Sequence, residues 1–169
     1  MSYKSLQECL NDLEKKGELK IFSEKLNPDL EIASIHLDEF AKKGKALLFN
    51  NVMGTKFRVA SNLFGTLERS KYMFRDSLNI VKDLIDIKID PTNIFKHPFR
   101  TFLTALNAIY ALPKRVSFKG FDEIKIEDLP QLKCWKEDGG AFITLPQVYT
   151  EDIQNPGILN SNLGMYRIQ

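Results

Sequence analysis

Ala46-Leu47-Leu48-Phe49 is a run of four apolar residues. Asn50-Asn51-Val52-Met53-Gly54 follows it, and a second apolar run comes at residues 57–60. Runs this short, bounded by turn-forming residues, suit buried strands, with residues 50–54 as the turn or hairpin loop between them. Working outward, residues 5–16 predict a helix. Ser5 and Glu8 have the spacing of a capping box, Leu6, Cys9, Leu10 and Leu13 form one stripe, and Gly17 stands at the stop. A short strand is expected at residues 18–22. Asn27-Pro28-Asp29 then opens a second helix, with Ile32, Ala33, His36, Leu37 and Phe40 facing inward and Gly44 at its end. Helices that alternate with buried strands define an α+β chain whose first part is layered α/β.

Downstream, residues 66–85 are helical in period, with Tyr72, Met73, Leu78, Ile80, Val81 and Leu84 as the expected buried set. A further helix is expected over residues 98–112, carrying Phe99, Phe102, Leu103, Leu106, Ile109 and Tyr110, and Pro113-Lys114-Arg115 ends it. The composition then changes, which places a boundary between residues 112 and 121. Strands are expected at 123–126, 141–149 and 163–168, with Gly139-Gly140 and Asn155-Pro156-Gly157 as turns. Two or three strands with long loops make no self-contained sheet. The second unit reads as the start of a fold.

At 169 residues and 43% hydrophobic, with 12 Phe, the chain has enough apolar side chains for a real core. A net charge of +2 is no nucleic-acid signature. Residues 121–169 hold Lys125, Lys133, Lys136 and Arg167 against eight acids, leaving −4 there and +6 on residues 1–120. That asymmetry supports two structural units. Cys9 and Cys134 are the only cysteines, and the Met1-Ser2-Tyr3-Lys4 start has no apolar signal core, so a reducing cytoplasm is expected.

The chemistry concentrates at the end. Along Asn162-Leu163-Gly164-Met165-Tyr166-Arg167-Ile168-Gln169, alternation puts Asn162, Gly164 and Tyr166 on one side of a strand and Leu163, Met165 and Arg167 on the other. An amide, a guanidinium and a bare glycine backbone suit a bound anion or flat ring. One Asn and one Arg complete neither a catalytic nor a metal site, so this reads as one wall of a site. Elsewhere the bland readings prevail. His36 lies on the inward stripe of a helix as a hydrogen-bonded core histidine, and His97 precedes Pro98 at a helix start. No paired ligands show zinc spacing, and no nucleophile elbow, phosphate loop or dinucleotide fingerprint is present. Ser61-Asn62-Leu63-Phe64-Gly65 reads as a helix-entry turn before it reads as a phosphate cradle. Acids beside Cys134 raise its thiol pKa, which argues against a nucleophile.

Six segments, in order, resemble the UbiD family of carboxy-lyases over nearly the whole chain. They are the Leu6 helix through Lys16-Gly17-Glu18-Leu19; Asn27-Pro28-Asp29-Leu30-Glu31-Ile32; Ala46-Leu47-Leu48-Phe49-Asn50-Asn51-Val52; Asn62-Leu63-Phe64-Gly65-Thr66; Cys134-Trp135-Lys136-Glu137-Asp138-Gly139-Gly140, where Lys136 replaces the usual proline; and Asn162-Leu163-Gly164-Met165-Tyr166-Arg167. The last, an Asn-x-Gly-x-Tyr-Arg pattern, is the most specific.

The resemblance implies a non-oxidative decarboxylase of aromatic or α,β-unsaturated acids, of 4-hydroxybenzoate type and serving quinone biosynthesis. It implies prenylated FMN held through its phosphate by a divalent metal, usually manganese, with potassium nearby. It assigns Asn162 as a metal ligand, Met165, Tyr166 and Arg167 as cofactor-lining residues, and Arg167 as the catalytic arginine. It also implies an N-terminal α/β domain over residues 1–115, the incomplete start of an FMN-binding split β-barrel over 116–169, and further ligands, an acidic pair and an oligomerisation domain beyond Gln169. On that reading the 169 residues are an inactive fragment of a homo-oligomeric enzyme and bind no cofactor alone. A lipophilic substrate would bring peripheral membrane association. The alternative, from a different class, is a non-catalytic docking domain that pairs with a partner chain, its unpaired strand edges inviting the contact.

Overall fold

A computed structural model describes residues 3–92, Lys96, Pro98, Phe99, Phe102, Leu103, Leu106 and residues 123–169. The expected boundary at 112–121, His97, Ile109 and Tyr110 lie outside the described residues.

The first unit is built on β2 (Ala46–Val52), whose first four residues are all buried. It pairs in parallel with β1 (Leu19–Leu26) and antiparallel with β3 (Val59–Ser61), so the strand order is β1-β2-β3. Because β2 is central, both faces need cover, and its side chains alternate between two cores. Leu47, Phe49 and Val52 pack with Leu26, Val59 and Ile32 of α2 (Glu31–Ala41). Ala46 packs with Cys9 and Leu13 of α1 (Leu6–Lys15) and Met73 of α3 (Leu67–Met73). The sheet therefore lies between α2 on one side and α1 and α3 on the other. α4 (Arg75–Ile89) follows a break at Phe74 and buries no residue among those described.

Several sequence expectations need correction. Leu6, Leu37 and Phe40 are largely exposed, because α1 and α2 press narrower stripes on the sheet than their apolar residues would allow. In α2, Ile35 packs on the core where Leu37 and Phe40 were expected. Val81 and Leu84 are likewise exposed, and the helix predicted over 66–85 is two helices. Asn50 and Asn51 belong to β2, so the turn shrinks to Met53-Gly54, with Gly54 at φ +82°. β1 runs four residues past the expected end, with a bulge between Phe22 and Lys25. The strand expected at 123–126 is absent. Ile126–Asp128 is a 3₁₀ turn, closed by Asp128 accepting from the Lys125 amide at 3.2 Å.

Two polar clusters hold the helices. Arg69, 1% exposed, donates Nε to the Leu63 carbonyl (3.0 Å), Nη2 to the Asn62 carbonyl (2.7 Å), and Nη1 to the Gly44 carbonyl (2.8 Å) and to Glu18 Oε2 (3.3 Å). Asn62 sits at φ +54° and donates to the Lys45 carbonyl at 2.8 Å. A Cβ at Gly65 would come 2.0 Å from Asn62 Oδ1, which explains that glycine. The 62–66 turn is thus filled by its own chain, with Thr66 capping Arg69 N at 3.2 Å. It is a structural staple. Against the outer side of α1, Asp12 accepts from Tyr3 (2.6 Å), Tyr72 (3.2 Å) and Arg75 (2.9 Å). Burial and the bond to Asp12 push the Tyr3 hydroxyl up to about 12.

His36 bonds through Nδ1 to Ser61 Oγ at 2.7 Å, tying α2 to β3 as a core histidine would. Burial lowers its pKa, so the fold prefers the neutral ring. The unfolded chain then binds the proton more tightly, and stability is full above the ordinary value of about 6.5 and falls as pH drops through it. Urea midpoints at pH 7.5 and 5.5 should differ for the wild type and differ less for His36→Gln. Equal differences would remove His36 from the acid response.

Candidate active site

The second unit is a two-stranded antiparallel ribbon, β4 (Ile143–Glu151) and β5 (Ser161–Ile168). It is anchored to the first unit through Leu132 and Lys133. Leu132 packs its side chain on the β2–α2 core and exchanges both backbone hydrogen bonds with Phe142 (2.8 and 2.9 Å). Next to it, Lys133 donates to the Pro28 carbonyl and accepts from Leu30 N, at 3.1 and 3.0 Å. The 134–140 loop and the start of β4 are therefore fixed against the first sheet.

That loop closes on Asp138. Its Oδ2 accepts from the amides of Cys134 (3.2 Å) and Trp135 (3.0 Å), and from Arg167 Nη2 at 2.8 Å. The Arg167 guanidinium also lies 3.6 Å above the Phe142 ring. Burial raises the Asp138 carboxyl, but Arg167 and the two amides outweigh it, so the net shift is downward and the group is anionic at neutral pH. Burial pushes the Cys134 thiol up, and Asp138 adds to that against the opposing Arg167. Cys134 is no activated nucleophile.

On β5 the expected alternation holds. Asn162 Nδ2 reaches the Tyr166 hydroxyl at 3.4 Å, and the Tyr166 ring lies over Gly164, where a Cβ would meet it at 2.4 Å. Only a bare backbone accepts that ring position. The structure thus brings Asn162, Gly164 and Tyr166 together on one face and sends Arg167 to the other, against Asp138. Five residues of strand separate the Asn162 and Arg167 backbones by roughly 16 Å. Met165 is 60% exposed, paired across the ribbon with Gln147. Sequence reading missed Asp138 and Phe142 as partners of Arg167.

Opposite Tyr166 the ribbon carries a bulge. Thr144 pairs with Arg167 and Gln147 with Met165, so Leu145 and Pro146 together face Tyr166. Bulges re-aim neighbouring side chains, and Pro is tolerated there. Leu145 has φ +56° and is 65% exposed, so it carries backbone strain with little packing in return. Leu145→Gly should be neutral or stabilising by up to about 1 kcal/mol, whereas glycine at an ordinary strand position costs about 0.5–1 kcal/mol. A clear loss in thermal unfolding would show that the Leu145 side chain packs usefully.

Among the described residues no group of three or more His, Cys, Asp or Glu could hold a metal. Asn162 offers one amide oxygen, while a hard divalent cation takes about six oxygens. These residues do not form a metal site by themselves. The single wall expected from the sequence is divided: the Tyr166 ring covers Gly164 on one face of β5, and the Arg167 guanidinium, suited to a carboxylate, lies on the other.

Two family profiles match this chain: the 3-octaprenyl-4-hydroxybenzoate carboxy-lyase N-terminal domain over residues 10–88, and the Rift-related domain of the same carboxy-lyase over residues 111–169. The chain belongs to the UbiD carboxy-lyase family. It is 38% identical over 149 residues to a 4-hydroxybenzoate decarboxylase subunit of Chlamydia pneumoniae, covering 85% of this chain and 25% of that protein. The vanillic acid decarboxylase of Sedimentibacter hydroxybenzoicus, in its closed form, superposes with a TM-score of 0.70 at 25% identity, over 100% of this chain and 35% of that one. The UbiD-class enzyme HmfF from Pelotomaculum thermopropionicum, solved with FMN, gives 0.63 at 23% identity, over 97% and 34%. The chain spans between a quarter and about a third of the length of the curated relatives it matches, from 25% to 36%. The fold shared with UbiD-class enzymes is that of their N-terminal region, mixed helices and sheets.

Proposed function

We propose that these residues form the first part of a UbiD-type decarboxylase of aromatic acids, with an α/β domain over 1–115 and the opening strands of the flavin-binding barrel over 116–169. The observation that carries this reading is the meeting of the two most distinctive segments, residues 134–140 and 162–167, at the Asp138–Arg167 pair. Prenylated FMN, when bound, supplies the sink for the electrons that decarboxylation leaves behind. Arg167 orients the substrate carboxylate in its planar fork and favours the ionised form of an acidic partner. Tyr166 and Met165 would line the flavin, and Asn162 would offer one oxygen to a divalent cation that balances the flavin phosphate charge, with the remaining ligands coming from other residues. A ligand that reaches both Asn162 and Arg167 must be elongated and pass the open edge of β5.

The substrate proposed is a 4-hydroxybenzoate-type acid of quinone biosynthesis. The enzyme would be a cytoplasmic homo-oligomer that meets membranes only through a lipophilic substrate, and these 169 residues alone would be inactive. No described helix is long and apolar enough to cross a membrane. The test is to express this sequence with whatever reading frame follows Gln169, then record the flavin spectrum and CO₂ release from hydroxybenzoates. Absence of both from a folded product would sink the reading.

A second reading, docking against a partner chain, draws support from exposed apolar side chains on the ribbon, including Leu145, Leu159, Leu163 and Met165. A monomer at high concentration in analytical ultracentrifugation, binding no hydrophobic dye, would remove that support.

A further inference from the structure

Arg167 is held by a residue that nothing about the family assignment requires, and the geometry points to a role for it. We propose that Asp138 is the positioning residue for Arg167, holding the guanidinium edge-on while Phe142 supports its plane. This rests on the reading of Arg167 as the carboxylate-orienting group.

Asp138 is placed independently of the arginine. Its Oδ2 accepts from two amides of its own turn, Cys134 and Trp135, so the carboxylate keeps its place whether or not Arg167 is bound. The turn itself is fixed by Lys133 and Leu132 against the first sheet. The exposure of the pair is unequal, with the Asp138 side chain at 11% and that of Arg167 at 42%. The sheltered partner is the anchor and the exposed one is what it aims. One contact at Nη2 and one ring against the face restrict both the plane of the guanidinium and its rotation within that plane. A guanidinium has five N–H donors, and the contact to Asp138 takes one, which leaves a fork for a ligand carboxylate. Without Asp138, a long side chain at the end of a ribbon would sample many rotamers and reach the same place only part of the time.

Asp138→Asn keeps an acceptor oxygen for the two amides and removes the charge that holds Arg167. In ¹⁵N-resolved spectra of the 169-residue chain, the Arg167 Nη signals, assigned by their loss in Arg167→Lys, should be split by slow rotation in the wild type. They should merge in Asp138→Asn and split again at least partly in Asp138→Glu. Slow, split signals in a folded Asp138→Asn overturn the proposal. If Asp138→Asn unfolds the loop, Asp138→Ser takes its place, since a hydroxyl still accepts from the turn amides: merged signals in a folded Asp138→Ser support the proposal and split ones overturn it. In flavin-loaded enzyme carrying this sequence, Asp138→Asn should lower kcat about tenfold with flavin content and KM unchanged, and should add nothing to Arg167→Lys. Additive losses overturn the positioning role while leaving a catalytic Arg167 standing. Wild-type turnover in Arg167→Lys overturns the catalytic reading alone, and the spectra still decide the positioning.

Discussion

Arg69→Met is expected to destabilise the chain by about 3–5 kcal/mol, the largest single effect in the first unit. The arginine is 1% exposed, and its loss takes a donor from three carbonyls, those of buried Asn62 and part-buried Leu63 and Gly44, the last keeping a longer bond from Asn62 Nδ2 at 3.4 Å. Each buried acceptor left without a donor costs on the order of 1–3 kcal/mol, reduced where water enters. Methionine keeps much of the volume, so the cavity contribution is small and the polar one is isolated. The Glu18 carboxylate is 38% exposed and can be hydrated, so Glu18→Gln should cost under about 1 kcal/mol. For a domain of this size, 3–5 kcal/mol corresponds to a fall in Tm of roughly 10 °C. Urea unfolding of both variants checks the contrast. A loss below about 1 kcal/mol for Arg69→Met would mean that the staple is not what holds the 62–66 turn to the end of α2.

The second large effect concerns catalysis. Arg167→Lys keeps the charge but exchanges a planar five-donor fork for a point charge. It also gives up the flat face laid on Phe142 and the edge contact to Asp138. In flavin-loaded enzyme, turnover should fall on the order of 100-fold while flavin content and spectrum stay near normal, because alignment fails and binding does not. Asn162→Ala should behave in the opposite way and lose metal and flavin together. Their positions on opposite faces of β5, roughly 16 Å apart, make the two effects separable. Normal turnover in Arg167→Lys removes the catalytic assignment, and full flavin retention in Asn162→Ala removes the metal assignment.

Sequence carried the strands and helices further than it carried their faces. β2 was legible because four consecutive buried residues leave no other element of that length. The faces of α2 and α4 were not. Periodicity identifies an apolar side, but the hydrophobic core takes Ile32 and Ile35 from α2 and leaves Leu37 and Phe40 outside. At 123–126, alternating β-formers lost to a local carboxylate–amide bond that favours a tight turn. The site was half legible. Asn162, Gly164 and Tyr166 follow from strand alternation within five residues, whereas Asp138 and Arg167 meet across 29 residues through a loop with no period. Arg69 left no signal, since a charged residue in the first turns of a helix ordinarily reads as solvated.

Leu132 has a consequence in time as well as in space. The β4–β5 ribbon is a local hairpin and can close within microseconds of its residues becoming available. Its place on the molecule is set elsewhere, by a hydrophobic seat made of Leu26, Ile32, Leu47, Phe49, Val52 and Val59. That seat is complete some seventy residues before Leu132 in the order of synthesis. During translation the first unit can therefore form its receptor surface before the residue that plugs into it has left the ribosome. The chain writes its dock first and its cargo second, and the arginine arrives last, at a cradle already closed around Asp138.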